Sequence, residues 1–306
     1  MSAVLDGTGP ARALKAMPLV FVLIWSTGFI VARYGMPYSP PLHFLVLRYV
    51  LSIACFLPWI LLARVEWPRS RAQWLHLAAT GVFMHAGYLG GVWAAVRAGM
   101  GAGLVSLLVG LQPVLTAVWL SATSQRGNAS DRVGGAQWAG LVLGFAGLLM
   151  VLWHKLEQSS EVSALTLSLS ILALLSITVG TLYQKRYVQP CDVRTANVVQ
   201  LAAAALVTLP LALEESGGMH WNGQLVGAMV WSVLGLTLGG SSLLYLLIQR
   251  GAATAVTSLL YLVPPCTAFM AWLLFGETIT AMTVLGTLLT AAGVALVVRS
   301  ASRARN

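Results

Sequence analysis

Charge is what this 306-residue sequence has least of. Lys, Arg, Asp and Glu together make up 9% of it, against 58% hydrophobic residues and a mean hydropathy of +0.81. A soluble domain carries about a quarter charged residues. No water-facing surface can be built from this composition, so the chain needs lipid around it. Long basic runs are also missing, which excludes a nucleic-acid partner for the formal charge of +9 and leaves the excess as loop charge that orients a membrane protein. The three cysteines (Cys55, Cys191, Cys266) form no spaced framework, so neither a disulfide nor a metal site is expected. The nine acidic residues fall in loops, tails or span ends, without a paired intramembrane carboxylate, and a Walker pattern is missing. A catalytic centre, ATP hydrolysis, a sodium site and a cofactor are therefore all unexpected.

What is present is a succession of apolar runs. A run of roughly 20 residues crosses the hydrocarbon core as a helix, because only a helix satisfies its own backbone there. Ten such runs can be marked, at 17–36, 42–63, 73–96, 99–120, 134–153, 163–185, 195–213, 224–247, 252–274 and 279–298. The first is too long and too polar-flanked for a cleaved signal peptide and stays as a span. Connections are short and leave no room for a soluble domain. Ten spans put both termini on one side, and of the 18 Lys and Arg residues 14 fall on that side, including Arg126, Arg132 and Arg194. Only Arg33, Arg97 and Lys155 fall opposite, and Arg48 lies within a span. Basic residues stay cytoplasmic, so the tails 1–16 and 299–306 are expected in the cytoplasm.

The sequence also repeats at about 152 residues. Gly99 to Pro113 (GMGAGLVSLLVGLQP) aligns with Gly251 to Pro265 (GAATAVTSLLYLVPP), matching Gly99 with Gly251, Ser106-Leu107-Leu108 with Ser258-Leu259-Leu260, and Pro113 with Pro265. Arg33-Tyr34 matches Arg186-Tyr187 after a one-residue shift, and Gly140 and Gly147 match Gly286 and Gly293 at a spacing of 146. Several collinear matches make chance a poor account. The expected fold class is an all-α membrane protein of ten transmembrane helices in two inverted five-helix repeats, 17–153 and 163–298. Five spans per half, an odd number, turn the second half upside down. Such repeats characterise secondary transporters, with the site at the repeat interface.

The run WSTGF at Trp25 to Phe29, the Arg48-Tyr49 pair, Gln112-Pro113, Gln137 with the spaced glycines after it, and Pro264 through Phe275-Gly276-Glu277 resemble the EamA family of the drug/metabolite transporter superfamily. The resemblance covers nearly the whole chain. The first half departs from it after span four, where Ser121 to Asp131 replaces the expected Gly-Glu. The resemblance implies a central cavity between the halves and export of amino acids or related metabolites across the inner membrane. Amino-acid exporters, including those for aromatic amino acids, are the most similar members.

Polar groups inside a bilayer are costly, so their placement is informative. Arg48, about two turns from the outer end of span two, either binds a substrate carboxylate, locks the outer half, snorkels to the interface or caps helix carbonyls. His85, mid-span, either binds substrate, carries a coupling proton, or is a neutral packed histidine. Tyr88 shares its face one turn later. Thr254, Ser258, Tyr261 and Pro265 form one stripe on span nine, and Thr237, Ser241 and Tyr245 form another on span eight. Part of each stripe is ordinary helix packing, but a buried phenol needs a partner. Trp25 at mid-depth could wall the cavity, and Gln112 could reach it or satisfy a carbonyl freed by Pro113. The expected binding set is thus Trp25, Arg48, His85, Tyr88, Gln112, Tyr245, Ser258 and Tyr261. Pro113 and Pro265 should bend spans four and nine, giving hinges there and at Gly99 and Gly251. Ala136, Gly140 and Gly144 form a small-residue ridge for packing or dimerisation. The expected partners are the lipid bilayer and a small amino-acid substrate, with the chain a monomer or homodimer.

Two other readings compete. Efflux of amphipathic cations suits the aromatics but wants an intramembrane carboxylate, and a membrane-embedded enzyme wants a headgroup-level His or Asp. Topology is directly testable: reporters fused at Arg126 and Arg194 should read cytoplasmic, and those at Glu157 and Glu214 external. An opposite reading at any one position removes the ten-span arrangement.

Overall fold

The computed structural model describes residues 9–123, 135–158, 161–249 and 262–303. Among the described residues the chain forms ten helical rods and no strands. In order these are α1 (Gly9–Gly35), α2 (Pro41–Leu62), α3 (Arg71–Gly81, Val82–Gly87 and Tyr88–Arg97 in one run) and α4 (Ala102–Val109, then Gln112–Thr123). There follow α5 (Gly135–Gln158), α6 (Ala164–Tyr187) and α7 (Val193–Glu214). The last are α8 (Gly223–Trp231, Ser232–Ser241 and Ser242–Gln249 in one run), α9 (Val263–Phe275) and α10 (Ala281–Arg303).

Local chemistry sets the starts. Pro41 occupies the first turn of α2, where its missing N–H costs nothing. Ser70 accepts from Gln73 N at 3.1 Å, Asn222 accepts from Leu225 N at 2.9 Å, and Ser163 and Thr166 form a reciprocal capping box. Asp192 caps α7 through Arg194 N at 2.9 Å. The Arg194 guanidinium holds the Asp192 carboxyl below its ordinary range, so it stays charged where it caps. Two caps come from far along the chain. Glu215 accepts the N–H groups of Leu42 and His43 at 2.9 and 3.1 Å, and Glu277 accepts Ala102 N at 3.0 Å. These carboxylates neutralise the N-termini of α2 and α4.

Two expectations about prolines are corrected. Pro113 does not bend a continuous span four: the helix stops at Val109, and Pro113 sits in the first turn of the restarted segment. Pro265 likewise lies in the first turn of α9 rather than in a helix interior. Proline has no N–H to donate backward, so the chain breaks before it and resumes with it. Among the described residues, Pro18 in α1, Pro58 in α2 and Pro210 in α7 are helix-internal.

Burial is inside out relative to a soluble protein. Leu62, Leu206 and Leu213 are 86%, 73% and 74% exposed, whereas Arg48, His85, Asn197 and Gln200 are buried. Four helical stretches, Pro41–Leu62, Ala164–Tyr187, Val193–Glu214 and Gly223–Leu246, are long and apolar enough to cross a membrane. Shorter apolar helices such as Val20–Gly35 and Val263–Phe275 accompany them. The chain is a multi-pass membrane protein.

The rods pack in pairs: α2 on α7, α4 on α9, α5 on α10, α3 on α6 and α1 on α8. Adding five to the lower helix number of the first three pairs gives its partner, and adding five around the ten helices turns α3–α6 into α8–α1. Both bounds of α2 and α7 differ by 152 residues (41 to 193, 62 to 214), as do those of α3 and α8 (71 to 223, 97 to 249). The caps Ser70 and Asn222 and the prolines Pro58 and Pro210 keep the same offset. Both α3 and α8 contain a π-helical stretch at mid-length.

The small-residue ridge of α5 is used within the chain. A Cβ on Gly286 of α10 would meet Val151 Cγ2 at 2.5 Å and the Gly147 carbonyl at 2.6 Å, so only glycine permits this contact. Gly286→Val should therefore pry α5 from α10 and lower the monodisperse yield in detergent several-fold. Gly135→Ala, with no atom within 4 Å of its added Cβ, should change nothing. Equal yields for the two variants would show that the contact does not hold the fold.

Candidate functional site

A central cavity opens between α1, α2, α3, α6, α7 and α8, each of which contributes side chains to its wall. A second hollow, between the α2–α3 and α6–α7 loops, is polar and lies at the surface around Glu66 and Asp192. The central cavity is the better site because it is walled by buried, chemically specific side chains from six helices.

The cavity's charge is Arg48. The residue is 3% exposed, its Nε donates to Thr237 Oγ1 at 3.0 Å, and its guanidinium lies 6.0 Å from the Trp93 ring centre. It does not reach an interface, so the snorkelling alternative fails. Thr237 in turn donates to Ser232 O at 2.9 Å, across the π-helical stretch of α8. Among the described lining residues there is no carboxylate.

His85 sits in the π-helical stretch of α3, 6% exposed, and lines the same cavity. The Tyr49 hydroxyl donates to its carbonyl at 2.8 Å. The Gln200 carboxamide lines the same cavity. Stretches of π-helix widen a helix and often mark functional positions, and here they carry His85 in α3 and Thr237 and Ser241 in α8. Trp25 and Tyr88 stack with ring centres 6.2 Å apart and planes 4° from parallel. Tyr245 is buried in the wall, with Cys191 Sγ 3.0 Å from its hydroxyl.

The structure thus brings Trp25, Arg48, His85, Tyr88 and Tyr245 to one cavity. Gln112 is elsewhere: it donates to Thr181 Oγ1 at 3.0 Å, tying α4 to α6, and lines a side pocket of about 280 Å³ that shares Trp25 and Phe29 with the main one. Ser258, Tyr261 and Gly251 lie outside the described residues. Gly99 has a φ of +105°, in the left-handed region that glycine tolerates, just after α3. His76 stacks with Tyr187 and lies 2.9 Å from the Tyr183 hydroxyl.

Three wall residues escaped sequence reasoning: Asn197 and Gln200 of α7 and Gln184 of α6. They lie near span ends, where polar residues read as loop margin. The signal that would have found Gln200 is the repeat itself, since Gln200 stands 152 positions after Arg48, and Thr237 stands 152 after His85.

Three contacts tie the helix ends and loops together at the Glu215 end. Arg97 Nη1 donates to Met36 O at 2.5 Å, His220 N donates to Tyr38 O at 2.8 Å, and His43 Nδ1 lies 3.1 Å from Glu215 Oε2.

A helical bundle with an apolar outer surface and a largely apolar central cavity set with a few buried polar groups is an arrangement suited to membrane transport. The chain belongs to the EamA-like transporter family, whose model matches twice, at residues 15–153 and 164–299. Membership makes it a non-catalytic transporter of the drug/metabolite superfamily. It is 26% identical over 288 residues to a probable amino-acid metabolite efflux pump of Salmonella typhimurium, covering 90% of this chain and 92% of that one. A probable amino-acid metabolite efflux pump of Escherichia coli is 25% identical over 295 residues, covering 92% and 94%. A solved crystal structure, 18% identical, superposes with a TM-score of 0.67 over 92% of this chain and 95% of that one, which fixes the fold.

The Tyr49 hydroxyl is the one side-chain tie from α2 to the α3 carbonyl at the site. Tyr49→Phe should cost about 1 kcal/mol, read as a fall of about 2 °C in the thermal unfolding midpoint. An unchanged midpoint would show that the bond contributes nothing.

Proposed function

We propose that this protein is a secondary exporter of neutral amino acids, aromatic ones favoured, in the cell inner membrane. Ten transmembrane helices form two inverted five-helix repeats, and transport proceeds by alternating access. The observation that carries the reading is Arg48, a buried cation without a carboxylate partner among the described lining residues, set in the wall of the central cavity. A guanidinium so placed is complementary to a substrate carboxylate, and the flanking Trp25, Tyr88, Trp93 and Tyr245 rings suit an aromatic side chain. The same absence of a lining carboxylate disfavours export of amphipathic cations. The names of the Salmonella and Escherichia coli relatives support the substrate class. The two family matches, the common offset of 152 residues and the self-mapping helix pairs support the repeats.

Alternating access follows from inversion: two halves of similar fold exchange shapes, and the opening moves from one face to the other. The contacts of Arg97, His220 and Glu215 then belong to the state shut at the Glu215 end.

The test has two parts. In proteoliposomes offered a panel of radiolabelled amino acids, the wild type should carry aromatic ones, and Arg48→Gln should lower that flux more than tenfold while remaining folded. Equal flux would remove the carboxylate role. In a background lacking the native cysteines, Val92→Cys, toward the Arg97 end of α3, and Gln184→Cys, toward the Tyr187 end of α6, probe the cavity wall from its two ends. Saturating substrate should raise labelling at one and lower it at the other. Labelling that moves together at both would replace alternating access with a channel-like opening.

A further inference from the structure

Gln200 is buried in the cavity wall with part of its hydrogen-bonding capacity unused. It is 4% exposed, and its Nε2 has no hydrogen-bond partner among the described residues. A buried amide N–H left unpaired costs free energy unless something completes it. Its backbone is held in place, because α3 passes so close at Gly81 that any side chain there would strike it. The donor therefore stands on a fixed backbone in a cavity that already holds a guanidinium.

Arg48 and Gln200 occupy equivalent positions, 152 residues apart, on the paired helices α2 and α7. Each helix packs on the π-helical stretch of a helix in the other half: Arg48 of α2 donates to Thr237 of α8, and α7, which carries Gln200, packs on the stretch of α3 that holds His85. Two donors thus line one cavity. What the described wall lacks is a group to receive an ammonium, since its acceptors are neutral and its one permanent charge is positive. A zwitterion placed there leaves its ammonium without a counter-charge, at a cost that a plain carboxylate does not bear.

We propose that a substrate carboxylate docks between the Arg48 guanidinium and the Gln200 amide N–H, and that the cavity accepts aryl monocarboxylates lacking an α-amino group as well as aromatic amino acids. The proposal rests on the transport reading above and deepens it. Recognition then lies in the carboxylate and the aromatic ring, with the amino group tolerated rather than required.

Binding to the purified protein in detergent, measured by calorimetry, tests this independently of flux, with phenylalanine, 3-phenylpropionate and phenethylamine as probes. The wild type should bind 3-phenylpropionate within about tenfold of phenylalanine and should not bind phenethylamine. Gln200→Ala should weaken both carboxylates about tenfold or more, the loss expected for a hydrogen bond to a charged group. Gln200→Glu keeps the shape, should fold where the alanine variant fails, and should abolish carboxylate binding by repulsion. Binding of phenethylamine in place of 3-phenylpropionate, or wild-type affinity in both variants, overturns the proposal. Should phenylalanine be carried while 3-phenylpropionate neither binds nor competes, the proposal falls and the amino-acid reading stands. Should 3-phenylpropionate bind in a Gln200-dependent way while no amino acid is carried, the amino-acid reading falls and this one stands.

Discussion

A guanidinium kept from water inside an apolar bundle governs the architecture around it. At the centre of a transmembrane helix an arginine costs about 3 kcal/mol, so Arg48 persists only because its surroundings are built to receive it. Thr237 accepts its Nε proton, and the Thr237 hydroxyl is itself oriented by Ser232 O across a π-helical turn. The Trp93 ring face lies below the guanidinium. These supports come from α8 and α3, so holding the charge requires three helices to meet, and their meeting creates the cavity.

The same requirement explains the departures from regular helix. A straight α-helix places side chains at fixed angles, and a π-helical stretch shifts everything after it around the axis. In α3 this stretch holds His85 and precedes Tyr88, which stacks on Trp25 of α1. In α8 it holds Thr237 under Arg48. Close approach does the remaining work. With glycine at position 81, α3 can touch the α7 backbone at Gln200, and with glycines at 147 and 286, α5 and α10 lie in direct backbone contact away from the cavity. One contact shapes the site, and the other closes the bundle behind it.

How much of this was legible follows from which forces act locally. Span positions were, because a long apolar run and its capping residues are local features: span two, read as 42–63, is Pro41–Leu62, and span six, read as 163–185, is Ala164–Tyr187. The cavity set was partly legible, since Trp25, Arg48, His85, Tyr88 and Tyr245 break the expectation for lipid-facing helix. Gln112 misled because a glutamine beside a proline has two ways to be satisfied, and Thr181 happens to be within reach. The π-helical stretches left no local trace, as they arise from packing between helices. Asn197 and Gln200 hid near a span end, where polarity has an ordinary explanation. Pro113 was read as a kink because the preceding Gly110 was not weighed as the break.

On the two-repeat reading, the differences between the halves carry meaning as well as the likeness. Equivalent positions hold Arg48 and Gln200 in one pair, and His85 and Thr237 in the other. Were the halves identical throughout, the two arrangements would be related by a two-fold rotation and equal in free energy, and an empty carrier would divide itself evenly between them. The charge lies on one half only, and the histidine on the other, so exchanging the shapes exchanges unlike environments and one arrangement is preferred. That preference sets which face the empty protein presents. It cannot set the direction of net transport, because a carrier without an energy source obeys the substrate gradient whatever its resting state. Export would then follow from accumulation of the carboxylate in the cell, with the Arg48–Gln200 asymmetry governing how readily the site is offered to it.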